Sequence, residues 1–166
     1  MAITVETFAE EKWRTGKAFT FYYSNTELDA GATDRIALCV GREPAIIESI
    51  AIEGNGEIMS WKVYGGGEVT PGTGTEVREI RRNSNADTTS GVQIEINPTI
   101  ISDGQAFFDE PIDLIAQVAA GNRAYLKVDL ISSLYSMVPM TNYIIDITNN
   151  DTGPVKYELS FSIYKD

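Results

Sequence analysis

Carboxylates are the residues best placed to carry chemistry in this chain, because none of its 166 residues is a histidine. Two carboxylates set roughly 5–10 Å apart across a cleft would serve a glycosidase. Close acidic pairs do occur, among Asp29, Asp34, Asp109, Glu110 and Asp113. Without histidine, however, serine and cysteine lack their usual general base and zinc lacks its commonest ligand. We therefore interpret these acids as surface carboxylates and expect no enzyme activity.

A second group of oxygen ligands lies close together near the C-terminus, at Asp146, Asn149, Asn150 and Asp151. A calcium ion takes about six to eight oxygens, and its common binding loop carries a fixed glycine and a terminal glutamate. The segment lacks that spacing, and Asx side chains that shape turns are the simpler account. We expect no metal site and no cofactor.

The single cysteine, Cys39, lies in an apolar run and is expected to be a small buried strand residue. The triple glycine at residues 65–67 is followed by no Lys-Ser/Thr pair, so it is not a phosphate-binding loop. We interpret residues 65–74 as a flexible loop. The aromatic residues could stack sugars, but in a β-sandwich most would pack the core. Those considered are Tyr22, Tyr23, Trp61, Tyr64, Tyr125, Tyr135 and Tyr143.

A dense charged segment runs over residues 75–82 and is interpreted as one strand. Arginine pairs carboxylates through a planar fork and is favoured at protein contacts, which makes this segment a candidate contact surface. A solvated strand face with weak cross-strand ion pairs is the alternative. The arginines are Arg78, Arg81 and Arg82, followed by Asn83.

The elements that must position these residues are strands. Apolar and polar residues alternate over residues 92–96, 125–130 and 142–148, which is typical of half-buried strands. The Gly54-Asn55-Gly56 run predicts a hairpin turn, and residues 111–117 could form a strand or a short helix. Residues 7–13 predict one short helix, with Thr7 as its cap.

Composition places the chain among folded, single-domain proteins. Hydrophobic residues make up 43%, and no apolar run approaches the roughly 20 residues that span a bilayer. A formal net charge of −11 makes nucleic acid a poor partner. Many short strands favour an all-β antiparallel sandwich that is jelly-roll-like. We expect an N-terminal arm over residues 1–16, mobile or reaching a neighbour, and a sandwich over residues 17–166.

Three polar motifs follow one another in the chain. They are an Arg-Asn-rich turn at residues 78–85, an Asn-Pro-Thr at residues 97–99, and the strand Thr-Asn-Tyr-Ile-Ile-Asp-Ile-Thr-Asn-Asn at residues 141–150. In this order and spacing they resemble a family of small all-β accessory proteins on the virions of tailed bacteriophages. The resemblance runs from roughly Ala45 to the end of the chain.

The resemblance implies a structural protein, made in the cytoplasm of a bacterial host, that decorates the capsid surface and stabilises the head. Its partners would be the major capsid protein and two further copies of itself in a homotrimer, with no nucleic acid and no membrane. The contact residues would be Phe8 and Trp13 as apolar anchors, together with Arg78, Arg81, Arg82 and Asn83. A receptor- or carbohydrate-binding module of a tail fibre or baseplate is the alternative, for which we expect exposed aromatics around a shallow groove.

Overall fold

The computed structural model describes residues 8–55, 58–83, 85, 88–115, 124–129 and 135–165. Within these ranges the chain forms one short helix, α1 (Phe8–Arg14), and fourteen strands that pair in antiparallel fashion. The helix agrees with the prediction for residues 7–13, although its expected cap, Thr7, lies outside the described residues.

Two sheets contain the strands. In spatial order the first sheet holds β11 (Ala124–Asp129), β3 (Ala45–Gly54), β14 (Val155–Lys165), β1 (Ala18–Leu28) and β6 (Glu79–Arg81), and β12 (Tyr135–Met137) also pairs with β3. The second sheet holds β10 (Ile112–Ile115), β4 (Ile58–Thr70), β13 (Asn142–Asn149), β2 (Thr33–Val40), β7 (Val92–Ile96) and β5 (Thr75–Glu76). Two short strands, β8 (Thr99–Ser102) and β9 (Gln105–Ala106), pair with β4.

Eight of these strands pair in a nested order. The first strand, β1, pairs with the last, β14, and β2 pairs with β13. Moving inward, β3 pairs with β11 and β4 with β10. Each sheet receives four of the eight strands, which is the topology of a jelly roll. The predicted jelly-roll-like sandwich is therefore confirmed.

The core lies between the sheets and follows from the alternation along each strand. In β14 the residues Leu159, Phe161 and Ile163 are buried, whereas the serines between them are only partly buried. From the second sheet, Leu38 and Ile145 face them, and both are almost completely buried. Because successive side chains point to opposite faces of a strand, one apolar set per strand fills the interior.

The segment between β4 and β10 contributes β5 and β7 to the second sheet, and Ile100 in its strand β8 packs on the outer face of that sheet. There Ala37, Val69 and Ile144 form a second, smaller apolar cluster. The carboxylate of Glu95, completely buried, accepts hydrogen bonds from the backbone N–H groups of Gly72 (2.8 Å) and Gly74 (3.1 Å). A buried carboxylate needs such donors, so Glu95 fixes the loop between β4 and β5 to β7.

Residues 75–82 do not form the single strand that we predicted. They form β5 and β6, which belong to different sheets. Val77, between them, is buried in the core and donates its N–H to the carbonyl of Ile94 at 2.8 Å. The chain therefore crosses from one sheet to the other at Val77 and closes this side of the sandwich.

Two glycine-rich segments also differ from the prediction. No hairpin joins β3 to β4, because these strands lie in different sheets, and Gly56 is outside the described residues. Residues 65–67 are not a flexible loop but part of β4, where Asn142 pairs with Gly67 and Tyr143 with Gly65. Gly66 is the extra residue of a β-bulge and has a φ of +75°, which glycine adopts without strain.

Candidate interaction surface

Helix α1 lies on the outer face of the first sheet, at the end of β14. The ring of Phe8 packs edge-on against that of Tyr164, with 5.4 Å between the ring centroids. The ammonium group of Lys12 lies 5.0 Å from the centre of the Phe8 ring, and Lys12 is 5% exposed. The Phe8–Tyr164 contact thus attaches the arm to the chain's own sheet, while the cation–π contact between Lys12 and Phe8 lies within the helix.

Arg82 links this face to three strands. Its guanidinium donates to Thr20 Oγ1 and Glu48 Oε2, each at 3.1 Å, and to the hydroxyl oxygen of Ser162. It also lies over the ring of Tyr164, 5.8 Å from the centroid. Arginine can make these bonds together because its donors form a fixed planar fork.

Asn83 and Trp13 complete the attachment of the arm. The indole N–H of Trp13 donates to the backbone carbonyl of Arg82 at 3.2 Å, and the amide of Asn83 donates to the carbonyl of Trp13 at 3.3 Å. These bonds hold Trp13 over the end of β6 while 55% of its surface remains exposed.

Trp13 is one of three large apolar side chains exposed along the same edge. Ile80, in β6, is 50% exposed and pairs with Thr20 of β1, so the two lie on one face. Tyr22 is two residues further along β1 on the same face and is 47% exposed. We call Trp13, Tyr22 and Ile80 the docking face. Tryptophan and tyrosine are the residues most enriched in the energetic centres of protein interfaces.

The structure brings four of the six predicted contact residues together: Phe8, Trp13, Arg82 and Asn83. Their recorded contacts are with the chain's own sheet and arm. Arg81 is exposed in β6, and Arg78 is exposed in the link that crosses between the sheets.

Sequence reasoning missed Tyr22 and Ile80 as members of this surface. The alternation in β1 carried the signal for Tyr22, because Phe19 and Phe21 are buried and the even positions must then face outward. Ile80 could not be found in this way, because β6 has three residues and its partner strand is distant in sequence.

The motif residues that carry the family resemblance make internal hydrogen bonds. Asn97 donates from Nδ2 to Asp34 Oδ1 at 2.7 Å and accepts at Oδ1 from the backbone N–H of Arg35 at 2.7 Å. Its φ of +52° lies in the left-handed region that asparagine tolerates. The Asn-Pro-Thr motif therefore fastens the end of β7 to β2.

The oxygen-rich segment at the end of β13 is also explained by local hydrogen bonds. Buried Asn149 donates to the carbonyl of Leu28 at 2.9 Å and accepts from the backbone N–H of Asp151 at 2.8 Å. Asp146 instead pairs with Arg35 at 2.9 Å. These are the Asx interactions that we expected. Among the described residues, no group of three or more Cys, Asp or Glu side chains could hold a metal ion.

Cys39 is partly buried in β2, less than we predicted. Burial raises the pKa of its thiol, and the nearby Glu95 carboxylate raises it further. Both effects disfavour the reactive thiolate.

Most of the aromatic residues that could stack sugars pack inside the molecule. Trp61 and Tyr143 are buried, and Tyr23 and Tyr64 are partly buried. Tyr22 and Tyr135 are exposed, and Tyr125 lies where side chains are outside the described part.

No helix in the described part of the chain is long and apolar enough to cross a membrane.

Comparison with known proteins identifies no family. No protein-family model matches the chain, and no curated protein matches it. A chain of the T13 viral particle of infectious bursal disease virus overlays on 91% of this chain and 40% of its own length, with 11% identity and a TM-score of 0.23. A chain from the structure of the Gt strain of the same virus overlays on 89% of this chain and 39% of its own length, with 13% identity and a TM-score of 0.18. This chain thus spans about two fifths of the length of each of these two viral chains. TM-scores this low establish no common fold, so the fold assignment depends on the strand pairing.

Proposed function

We propose that this chain is a structural protein of a tailed-phage virion that binds the outer surface of the capsid between capsomers. The docking face, Trp13, Tyr22 and Ile80, is the observation that carries the proposal. Three large apolar side chains, each about half exposed, extend along one edge of the sheet. The sequence resemblance to virion accessory proteins adds support. Jelly rolls also occur in viral capsid proteins, although they serve lectins and cupins equally well.

In this proposal the protein acts by valency. Each copy binds the assembled shell better than its separate subunits, so binding stabilises the shell by mass action. Many symmetry-related sites multiply the effect, and copies that assemble into a homotrimer would gain further from avidity. The net charge of −11 directs the protein toward a protein surface rather than toward DNA.

The arm has a defined role in this proposal. Because Asn83 and the backbone of Arg82 hold Trp13 in place, the side chain reaches its partner already positioned. A side chain that is ordered before binding loses less conformational entropy on association. The capsid would therefore contact the arm where it lies, without needing to pull it away from the sheet.

Binding to virus particles tests this directly. Particles of the encoding virus that lack the protein would be mixed with purified chain, and occupancy measured by co-sedimentation. Ile80→Ser removes an apolar contact from the docking face and should weaken binding roughly tenfold or more. Ile101→Ser is the matched control, because Ile101 is 62% exposed in β8, which pairs with the other sheet.

Point substitutions are preferable to deletion of the arm. Loss of the helix would uncover Tyr164, which is 1% exposed beneath Phe8, and would disturb the sheet itself. Trp13→Ala should weaken binding as Ile80→Ser does, with an unchanged circular dichroism spectrum. Wild-type occupancy with both variants, or an equal loss with Ile101→Ser, would overturn the proposed face.

A further inference from the structure

A cavity of about 270 Å³ lies between the two sheets, near the end where β12 begins. The described residues that line it are all apolar or aromatic, and they include Leu38, Ile50, Val63, Phe107, Tyr135 and Tyr143. Protein interiors are ordinarily close-packed, and an empty apolar space of this size forfeits many dispersion contacts. The energetic cost of leaving it empty favours an apolar occupant.

Three aromatic rings form one side of this cavity and reach the surface. The ring centroids of Phe107, Tyr135 and Tyr143 are 5.8–6.2 Å apart in tilted and edge-on arrangements. Phe107 and Tyr135 are 46% and 36% exposed, so this side of the cavity reaches the protein surface. Tyr143 is held in place because its hydroxyl oxygen accepts the backbone N–H of Val138 at 2.9 Å.

Gly65, the first residue of the glycine triplet in β4, shapes the same entrance. A Cβ atom at this position would lie 2.7 Å from Cε1 of Phe107 and 3.6 Å from Cε1 of Tyr143. The absence of a side chain at Gly65 therefore lets the Phe107 ring lie directly against β4. The backbone N–H of Phe107 also donates to the carbonyl of Val63 at 2.9 Å, which fixes its main chain there.

We propose that this inter-sheet cavity is a binding site for a small, uncharged, largely apolar molecule about the size of two fused aromatic rings. An engineered apolar cavity of about 150 Å³ takes up benzene, so a volume of about 270 Å³ has room for a second ring. The aromatic side chains offer edge-on and stacked contacts to such a ligand. A charged ligand is excluded, because the described lining residues provide no ionic partner. This inference does not depend on the proposed virion function.

Naphthalene is a suitable probe, with naphthalene-2-sulfonate as a charged compound of the same ring size. Naphthalene should raise the melting temperature of the full chain, and its ring protons should show nuclear Overhauser contacts to the methyl groups of Ile50 and Val63. The sulfonate should do neither. Ile50→Phe fills the cavity and should abolish the shift. Ile101→Phe is the matched control because Ile101 is exposed, and this variant should respond as the wild type does.

Leu38→Phe fills the same space from the opposite sheet and replaces Ile50→Phe if that variant does not fold. The proposal is overturned if naphthalene leaves the wild type unchanged, since the space is then occupied by the chain itself. It is equally overturned if the filled variants respond like the control, or if the sulfonate binds as well as naphthalene.

Discussion

The hydroxyl of Tyr157 in β14 donates a 2.6 Å hydrogen bond to Oδ2 of Asp34 in β2, and so joins the two sheets through the core. Asp34 is 4% exposed and also accepts from Asn25 at 2.6 Å and Asn97 at 2.7 Å. Buried polar groups cost free energy unless they are hydrogen-bonded, and here three donors satisfy one carboxyl group. The network therefore fixes how the sheets align at this end of the sandwich.

Removal of the Tyr157 hydroxyl should destabilise the fold measurably. Tyr157→Phe keeps the ring but leaves one oxygen of Asp34 with fewer donors, which should lower the free energy of unfolding by about 1–3 kcal/mol. Urea denaturation measures the change. Tyr22→Phe is the control, because Tyr22 is 47% exposed. This substitution should change the free energy of unfolding by no more than about 0.5 kcal/mol. Equal effects of the two substitutions would contradict a structural role for the Tyr157 hydroxyl.

The strands were predictable from sequence where one face is buried along a whole strand. Val92, Ile94 and Ile96 alternate with polar residues, and β7 has those bounds. The sandwich class followed from many such strands, because each must bury its apolar face against another layer. The alternation does not state which strands pair, so the nested order that defines the jelly roll required the structure.

The candidate surface was less predictable, for a physical reason. Arg82 and Asn83 were predicted to contact a partner because arginine is favoured at protein contacts and the segment carries the Arg-Asn motif. In the structure they bond to Trp13 of the chain's own helix, 69 and 70 positions away. Such long-range contacts leave no periodic signal. Val77 likewise reads as part of one strand, and only packing against both sheets reveals the crossing.

Alkaline pH should destabilise the protein through its buried tyrosines. Burial, with the neighbouring Glu48 carboxylate, raises the pKa of Tyr164 from 10.0 to about 12. Burial and the Asp34 carboxylate also raise the pKa of Tyr157. Above pH 10 the unfolded chain loses these protons while the folded chain retains them, so stability is fully present below pH 10 and falls between pH 10 and about 12.

Urea midpoints over a pH series measure this effect. Tyr164→Phe keeps the ring that packs on Phe8 but removes the ionisable hydroxyl, so its stability should fall less steeply above pH 10. Phenolate absorbance supplies an independent readout, since part of the tyrosine signal should appear together with unfolding. A Tyr164→Phe profile parallel to that of the wild type would contradict the assignment.

Substitution by glycine should change the stability of the fold in opposite directions at two residues that have a positive φ. Met140, with a φ of +57°, is 76% exposed, and Asn97 has a φ of +52°. Met140→Gly relieves the strain of a left-handed backbone and should stabilise the fold by about 0.5–1 kcal/mol. Asn97→Gly relieves the same strain but removes the bonds to Asp34 and Arg35, and should destabilise it. Thermal unfolding distinguishes the two, and stabilisation by both would show that the Asn97 side chain contributes little.

Arg82 should control whether the arm stays on the sheet. Arg82→Lys keeps one positive charge but cannot reach Thr20, Glu48 and Ser162 at once, because an ammonium group lacks the planar fork. Since Arg82 and Glu48 are partly exposed, we expect the free energy of unfolding to fall by only about 1–2 kcal/mol. Backbone amides of residues 8–16 should then exchange hydrogen faster, while those of β14 change little. Arg78→Lys is the matched control because Arg78 is exposed in the link between the sheets. Unchanged exchange in the arm of Arg82→Lys would mean that the packing of Phe8 on Tyr164 holds the helix without the Arg82 side chain. The docking face would then not depend on that side chain.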